Sequence, residues 1–428
     1  MTTPSRSRQP RSAPTKRPDT TRASAPSPEE SEKDLPLKVA TRRLFWAMGC
    51  STRLDVKLRA YVPGEDRRPG WQEFTDLDVL GVGLAPGGRL HLTIADCKTA
   101  NRRAIERMFW VRGVADFFDA NEAYLVRSHS VPAAARALSN RLGVGVLDPD
   151  DLQQLLATFP VGTDFDGPLS CLFDMESVRR QADNIVDLDK RLKSLVDYIR
   201  FDYWIYEPYR NLTQTVAHLA EVVGTLDPTN PSHRSIFFET AWLYGYALAQ
   251  AVHHVRKAHI ADVPASTRTY VAGGELALRE KGRLARLLND AGIGVDPKAA
   301  VLPPYVESLT ELLTRLLVRP NELSEVLRYS EYLSAAAVVG ENATIGQVFG
   351  RNVHPFAAKL LLDICGFLVF AAGLRPDFRA LARASLVVDL TGGKPDNVSD
   401  KGLSIGKDEG PKSPEADGRL PLVYISPE

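Results

Sequence analysis

Cysteine is scarce in this chain. Its four copies in 428 residues, Cys50, Cys97, Cys171 and Cys365, lie far apart, with no Cys-x-x-Cys or Cys/His spacing. That excludes a disulfide-stapled fold and a structural zinc centre, and it predicts a reducing, cytoplasmic setting. An excess of one charge sign is also lacking. Fifty-three Lys and Arg balance 53 Asp and Glu, so no bulk field draws the chain to nucleic acid or to a lipid surface, and any such attraction must be local. Long hydrophobic runs are missing as well. The longest, LLLDICGFLVFAAGL at 360–374, carries Asp363; it is too short for a membrane span and reads as a buried helix, so no membrane partner is expected. The first 28 residues have no apolar signal core. They are rich in Ser, Thr, Pro and Arg with Asp19 as their sole acid, a composition expected of a disordered basic arm.

What is present, 44% hydrophobic and 25% charged residues, suffices for a globular protein with one large core or two. Composition and periodicity divide the chain into a disordered basic arm (1–35), a mixed α/β domain (36–158), a linker (159–168), a mostly α-helical domain (169–390) and a disordered tail (391–428) that ends in LPLVYI. The stretch FPVGTDFDGPLS at 159–170 combines Pro, Gly and Asp as connectors do, and Asp164 and Asp166 read as turn residues rather than metal ligands. In the helical part, DPTNP (227–231) and RPNE (319–322) separate helical hairpins. The aromatic run FDYWIYEPY (201–209) reads as a core or interface cluster before a base-stacking platform. His253 and His254, neighbours on a helix, point about 100° apart, so with His259 they are expected to pack rather than to bind metal.

The α/β part is read element by element. LKVATRRLFWAM (37–48) is a helix ending at Gly49, and RLDVKLRAY (53–61) alternates as a half-buried strand, with Leu54, Val56, Leu58 and Ala60 on one face. FTDLDVLGV gives a second strand, PGG at 86–88 a turn, and RLHLTIADCK a third strand. Residues 100–112 form a helix with Ala104, Ile105, Met108, Phe109 and Val111 as its apolar face and Arg103 and Arg107 opposite. A strand (122–129), a helix, a short strand (VGVLD) and a helix begun by Pro149 follow. Residues two apart in a strand share a face. Asp76 and Asp78 therefore point one way, and Asp96 and Lys98 share a face with Leu90, Leu92 and Ile94. Carboxylates in a half-buried strand are costly unless paired, and a divalent cation such as Mg²⁺ is a suitable partner.

This order, and the residues TDLDVLGV and LTIADCK, resemble the PD-(D/E)xK nuclease superfamily over residues 37–157. Asp78 matches the acid of the second core strand, and Asp96, Cys97 and Lys98 match the (D/E)xK triplet of the third. The resemblance implies a restriction endonuclease-like α/β domain, a mixed sheet flanked by helices, that hydrolyses phosphodiester bonds of DNA in bacterial restriction, defence or repair. It implies Asp78, Asp96 and Lys98 as catalytic residues, and Mg²⁺, with Mn²⁺ able to substitute, held by Asp78, Asp96 and the backbone carbonyl of Cys97, with Asp76 as a further ligand. Lys98 would orient or help deprotonate the attacking water, Arg103 and Arg107 would contact phosphates, and a homodimer is expected, with the helical domain free for a protein partner. The other reading is a nuclease-like fold without activity that binds nucleic acid or scaffolds a complex. One departure from the family pattern stands out: LKVATRRLFWAM carries no glutamate, and Glu30 and Glu32 lie upstream, beyond Pro36. The Cys97 side chain reads as a small buried hydrophobe on the far face of its strand.

Overall fold

Alternating apolar residues with glycine turns give the sheet its first half. In the computed structural model, which describes residues 28–62, 70–99, 103–159, 165–258, 260–294, 296 and 301–386, β1 (Ser51–Val62), β2 (Gly70–Ala85) and β3 (Arg89–Lys98) form an antiparallel meander. The PGG turn between β2 and β3 needs left-handed backbone at Gly87 (φ 81°) and Gly88 (φ 70°), a conformation glycine adopts without steric cost. A side chain on Gly88 would also collide with Pro320, 2.4 Å from the built Cβ position. Helix α1 (Pro28–Ala47) precedes the meander, and α2 (Ala104–Phe118) crosses from β3 to β4 (Glu122–Arg127), which lies parallel to β3. Then α3 (Ala133–Leu142) leads to β5 (Gly145–Leu147), parallel to β4, and Asp148 caps α4 (Pro149–Ala157). The result is a five-stranded mixed sheet in the order β1-β2-β3-β4-β5 with helices on both faces, followed by a mostly helical region from Ser170 to Leu386.

One face of the sheet, with Val79, Ala95, Cys97 and Val126, packs on Leu44 and Phe45 of α1 and Leu152 of α4. The other face, with Val56, Leu77, Val82, Leu92 and Ile94, packs on Met108, Val111 and Ala115 of α2 and shares one continuous core with the helical region. The stretch 159–168 therefore does not divide two cores; of its residues, 160–164 lie outside those described, and Asp166 accepts an exposed ion pair from Arg43 at 2.8 Å. The buried helix Pro231–Ala258 carries Trp242, Tyr244 and Tyr246 into that core. The aromatic run joins it: Tyr203 is buried beside Tyr198, Trp204 and Tyr246 and donates its hydroxyl to the Leu243 carbonyl at 2.7 Å. His254 packs against Tyr270, and His259 lies outside the described residues. The apolar run at 360–374 falls mostly in the helix Pro355–Ala372, which is long and apolar enough to cross a membrane by length and composition, and 56% of it is buried within the protein. All four cysteines are free and buried.

Helix α1 starts earlier than the sequence predicts. Residues 28–36 are its first turns rather than the end of a disordered arm, with Pro36 inside the helix. Proline in a helix interior costs about 3 kcal/mol or more. Here Pro36 itself is exposed while Asp34 and Leu35 beside it are buried, so tertiary anchoring outweighs the penalty. The rest of the expected arm, and the tail from 387 onward, lie outside the described residues.

The buried stripe of α1 is polar as well as apolar, because Asp34, Lys38 and Arg42 recur at four-residue spacing and all are buried. Arg42 donates to Glu331 at 2.8 Å, to the Leu172 carbonyl at 2.8 Å and to Thr52 Oγ1 at 3.0 Å. Glu331, in the helix Leu323–Val339, also accepts from Ser51 Oγ (2.6 Å), from the Thr52 N–H (2.7 Å) and from the Thr52 hydroxyl. Trp242 Nε1 completes the set by donating to Ser51 Oγ at 2.6 Å. Removing one member of such a pair strands a buried charge. Glu331→Ala is expected to lower the unfolding free energy by about 3–5 kcal/mol in urea denaturation. A loss under about 1 kcal/mol would show that Arg42 finds another partner.

Candidate functional site

The strands β2 and β3 are paired only as far as Val79 and Ala95 on this end of the sheet. One residue further on, the Asp78 carboxylate takes over from the ladder, accepting the Cys97 N–H at 2.8 Å on Oδ2. The same oxygen is 3.0 Å from Lys98 Nζ, and Oδ1 is 2.9 Å from Lys38 Nζ. Lys98 lies further from Asp34 (3.4 Å) and Asp96 (3.8 Å). Asp34 accepts from the Thr99 N–H and hydroxyl, each at 2.8 Å. Opposite Asp78 on β1, Asp55 interrupts the ladder between the pairs Leu54–Val79 and Val56–Leu77 with φ of 52°. Aspartate is among the few residues that tolerate this left-handed region, and Asp55 Oδ1 sits 2.5 Å from Lys38 Nζ.

Asp96 is held by Arg107 of α2 through two hydrogen bonds, from Nε at 2.6 Å and from Nη2 at 2.5 Å. The guanidinium stacks over Trp110, 3.7 Å from the ring centre. Asp76 lies 3.8 Å from Lys57, and Asp55, Asp76 and Asp78 each place an oxygen within 4.8 Å of the others. A crevice lined by Asp76, Asp78 and Asp96 on the sheet and by Trp110, Val111 and Val114 on α2 reaches this point, and it is too narrow to admit a water molecule.

Electrostatics sort the carboxylates. Burial alone would raise the Asp78 carboxyl, but the charges of Lys38 and Lys98, with hydrogen bonds from Lys38 and Cys97, hold it below its ordinary value. Asp96 goes the other way: burial and the Asp78 charge outweigh the hydrogen bonds from Arg107, so its carboxyl is raised. Burial pulls Lys98 down, yet Asp78 and Asp96 more than offset it and leave the ammonium harder to deprotonate than an ordinary lysine. Lys38 is likewise raised, against its burial, by Asp78 and Asp55.

Of the residues singled out from the sequence, Asp76, Asp78, Asp96 and Lys98 converge here. Cys97 contributes its N–H to Asp78, and its thiol lies on the far face against Thr41 Oγ1 at 3.5 Å, pushed up by burial. Arg107 corrects an expectation: it is clamped to Asp96 instead of standing free for phosphate. The buried stripe of α2 is Ala104, Met108, Val111 and Ala115, while Ile105 and Phe109 are exposed, which turns Arg107 toward the sheet. Arg103 is exposed at the head of α2 with φ of 64°, 3.6 Å from Glu106. Three participants were not foreseen: Asp34, Lys38 and Asp55. The four-residue spacing of Asp34, Lys38 and Arg42 was a visible signal, but Pro36 concealed that one helix carries all three. Strand alternation puts Asp55 opposite Leu54 and Val56, on a face that the helical region partly covers: Arg53 stacks on Trp242 at 3.7 Å and Arg59 pairs with Asp202.

Comparison of the chain with protein-family models, curated proteins and solved structures gave no match.

The depressed Asp78 carboxyl carries a pH signature. A group with a lowered folded-state value contributes stability that is present above its unfolded value of 3.8 and is lost as pH falls through the folded value. Asp78→Asn is expected to flatten the acid limb of the stability curve below that pH. The check is urea denaturation of both proteins from neutral pH into the acid range, and an unchanged limb in the variant would contradict the pairing.

Proposed function

We propose that this chain is a metal-dependent nuclease whose sheet is of the restriction endonuclease-like type, hydrolysing phosphodiester bonds of DNA. The observation that carries the reading is the convergence of Asp78 and Asp96, on neighbouring strands where their pairing ends, around the ammonium of Lys98. The longer α1 supports it, since the first helix does bring an acid, Asp34, to Lys98.

The donor set suits a hard divalent cation. On the Lys98 side of the site Asp34, Asp78 and Asp96 each bring a carboxylate oxygen within 4 Å of Nζ, so every donor is a hard oxygen. Asp78 and Asp96 would hold Mg²⁺ or Mn²⁺, which supplies Lewis-acid charge at the scissile phosphate. Lys98, kept protonated by its two acids, is a donor: it orients the water and stabilises negative charge at phosphorus rather than accepting a proton. Arg107 must leave Asp96 to free its oxygens, and Trp110 offers the guanidinium a resting surface. Arg103, exposed at the head of α2 next to Glu106, would contact a backbone phosphate.

A second reading rests on a specific observation. Every carboxylate of the site already has a cationic partner, and the crevice does not admit water, as suits a nuclease-like fold that binds or scaffolds without cutting. Plasmid, linear and single-stranded DNA, and RNA, incubated with Mg²⁺, Mn²⁺ or EDTA, separate the two. Metal-dependent cleavage is expected, reduced on the order of 10²-fold or more in Asp96→Ala and Lys98→Ala. No cleavage of any substrate, with nucleic-acid binding equal in all three proteins, would favour the second reading.

A further inference from the structure

The trio Asp55, Asp76 and Asp78 has the spacing of a cation site, yet Lys38 already stands in it. Its Nζ lies 2.5 Å from Asp55 Oδ1 and 2.9 Å from Asp78 Oδ1, and its side chain is 2% exposed. Lys57 Nζ lies 3.8 Å from Asp76, the third member. We infer that Lys38 is the resident cation of this trio, a fixed ammonium in the place where a metal ion would otherwise sit, so that divalent ions are confined to the Asp96 side of Asp78.

Three features of the geometry support this. The ammonium is delivered by a helix, α1, that is itself anchored one turn later through Arg42, so Lys38 cannot swing aside as a surface lysine does. The backbone of Asp55 is held in a left-handed conformation with its carboxylate on that ammonium, which is a cost accepted only where the surroundings hold it. A hydrated divalent ion entering the trio would have to displace a charged side chain, 2% exposed, from the two carboxylates that hold it. Asp78 is thus shared: one oxygen faces Lys38, and the other faces Lys98 and the Cys97 N–H.

The inference concerns where ions bind and does not require cleavage, so its test is independent of activity. Mn²⁺ binding is counted by calorimetry and by paramagnetic resonance of the free ion. Lys38→Met, close in volume but uncharged, is expected to bind one more Mn²⁺ per chain than the native protein, and the extra ion is expected to vanish in Lys38→Met/Asp55→Asn. Asp55→Asn alone, in which asparagine keeps the left-handed backbone, is expected to bind as many ions as the native protein with Kd unchanged within about twofold. A folded Lys38→Met with no additional ion would overturn the inference, as would loss of an ion in Asp55→Asn. Should Lys38→Met fail to fold, the Asp55→Asn arm decides alone: an unchanged count supports the ammonium, and a lost ion refutes it.

Discussion

The Glu331 carboxylate lies buried between the sheet and the helical region, and the position of α1 depends on it. It gathers Arg42, Ser51 and Thr52 around two oxygens, fixing at once the end of α1 and the start of β1. A buried ion pair seldom adds much net stability, because desolvation consumes the attraction, but it does dictate geometry. What it dictates here is the rotation of α1 about its axis. With Arg42 pinned, the residues four and eight positions earlier, Lys38 and Asp34, face the end of β2 and β3, where Asp78 and Lys98 receive them. A contact remote from the candidate site thereby sets its electrostatics.

Within the site, the two strand aspartates share a face but behave as different groups. Asp78 is ringed by donors and stays ionised easily, whereas Asp96 is buried next to that negative charge and ionises reluctantly. Two neighbouring carboxylates whose environments pull them apart are unlike groups on one face: Asp78 is held by two ammoniums and a backbone N–H, and Asp96 by the Arg107 guanidinium. The same guanidinium stacks on Trp110 while it holds Asp96.

Much of this could be read from the residues alone. The alternation of β1 to β3, the PGG turn, the near-continuous apolar run of β4 and the proline at the head of α4 each encode their element locally, so their order was legible. The face shared by Asp96 and Lys98 followed from strand parity. What was illegible depended on contacts between distant segments. Pro36 signals a helix start by local rules, and only the burial of Asp34 and Leu35 against the rest of the molecule overrides it. The apolar face read for α2 holds at Ala104, Met108 and Val111 but not at Ile105 and Phe109, which are exposed, because the stripe that packs on the sheet continues through Val114 and Ala115. Asp55 looked like a solvent-facing member of an alternating strand, and no periodicity could report its left-handed backbone.

The continuous core beneath the sheet has a consequence for how this fold can be divided. In a self-sufficient module, the surface left by trimming the neighbouring segment would be polar. Here, excising residues 170 onward would leave the Arg42 guanidinium and the Ser51 and Thr52 donors facing an empty socket, and would bare Trp46, which packs on Phe173 and Arg328. The helical region is therefore part of the scaffold of the sheet, and the smallest unit that can be transplanted with this buried network intact is the sheet together with the helices that carry Trp242 and Glu331.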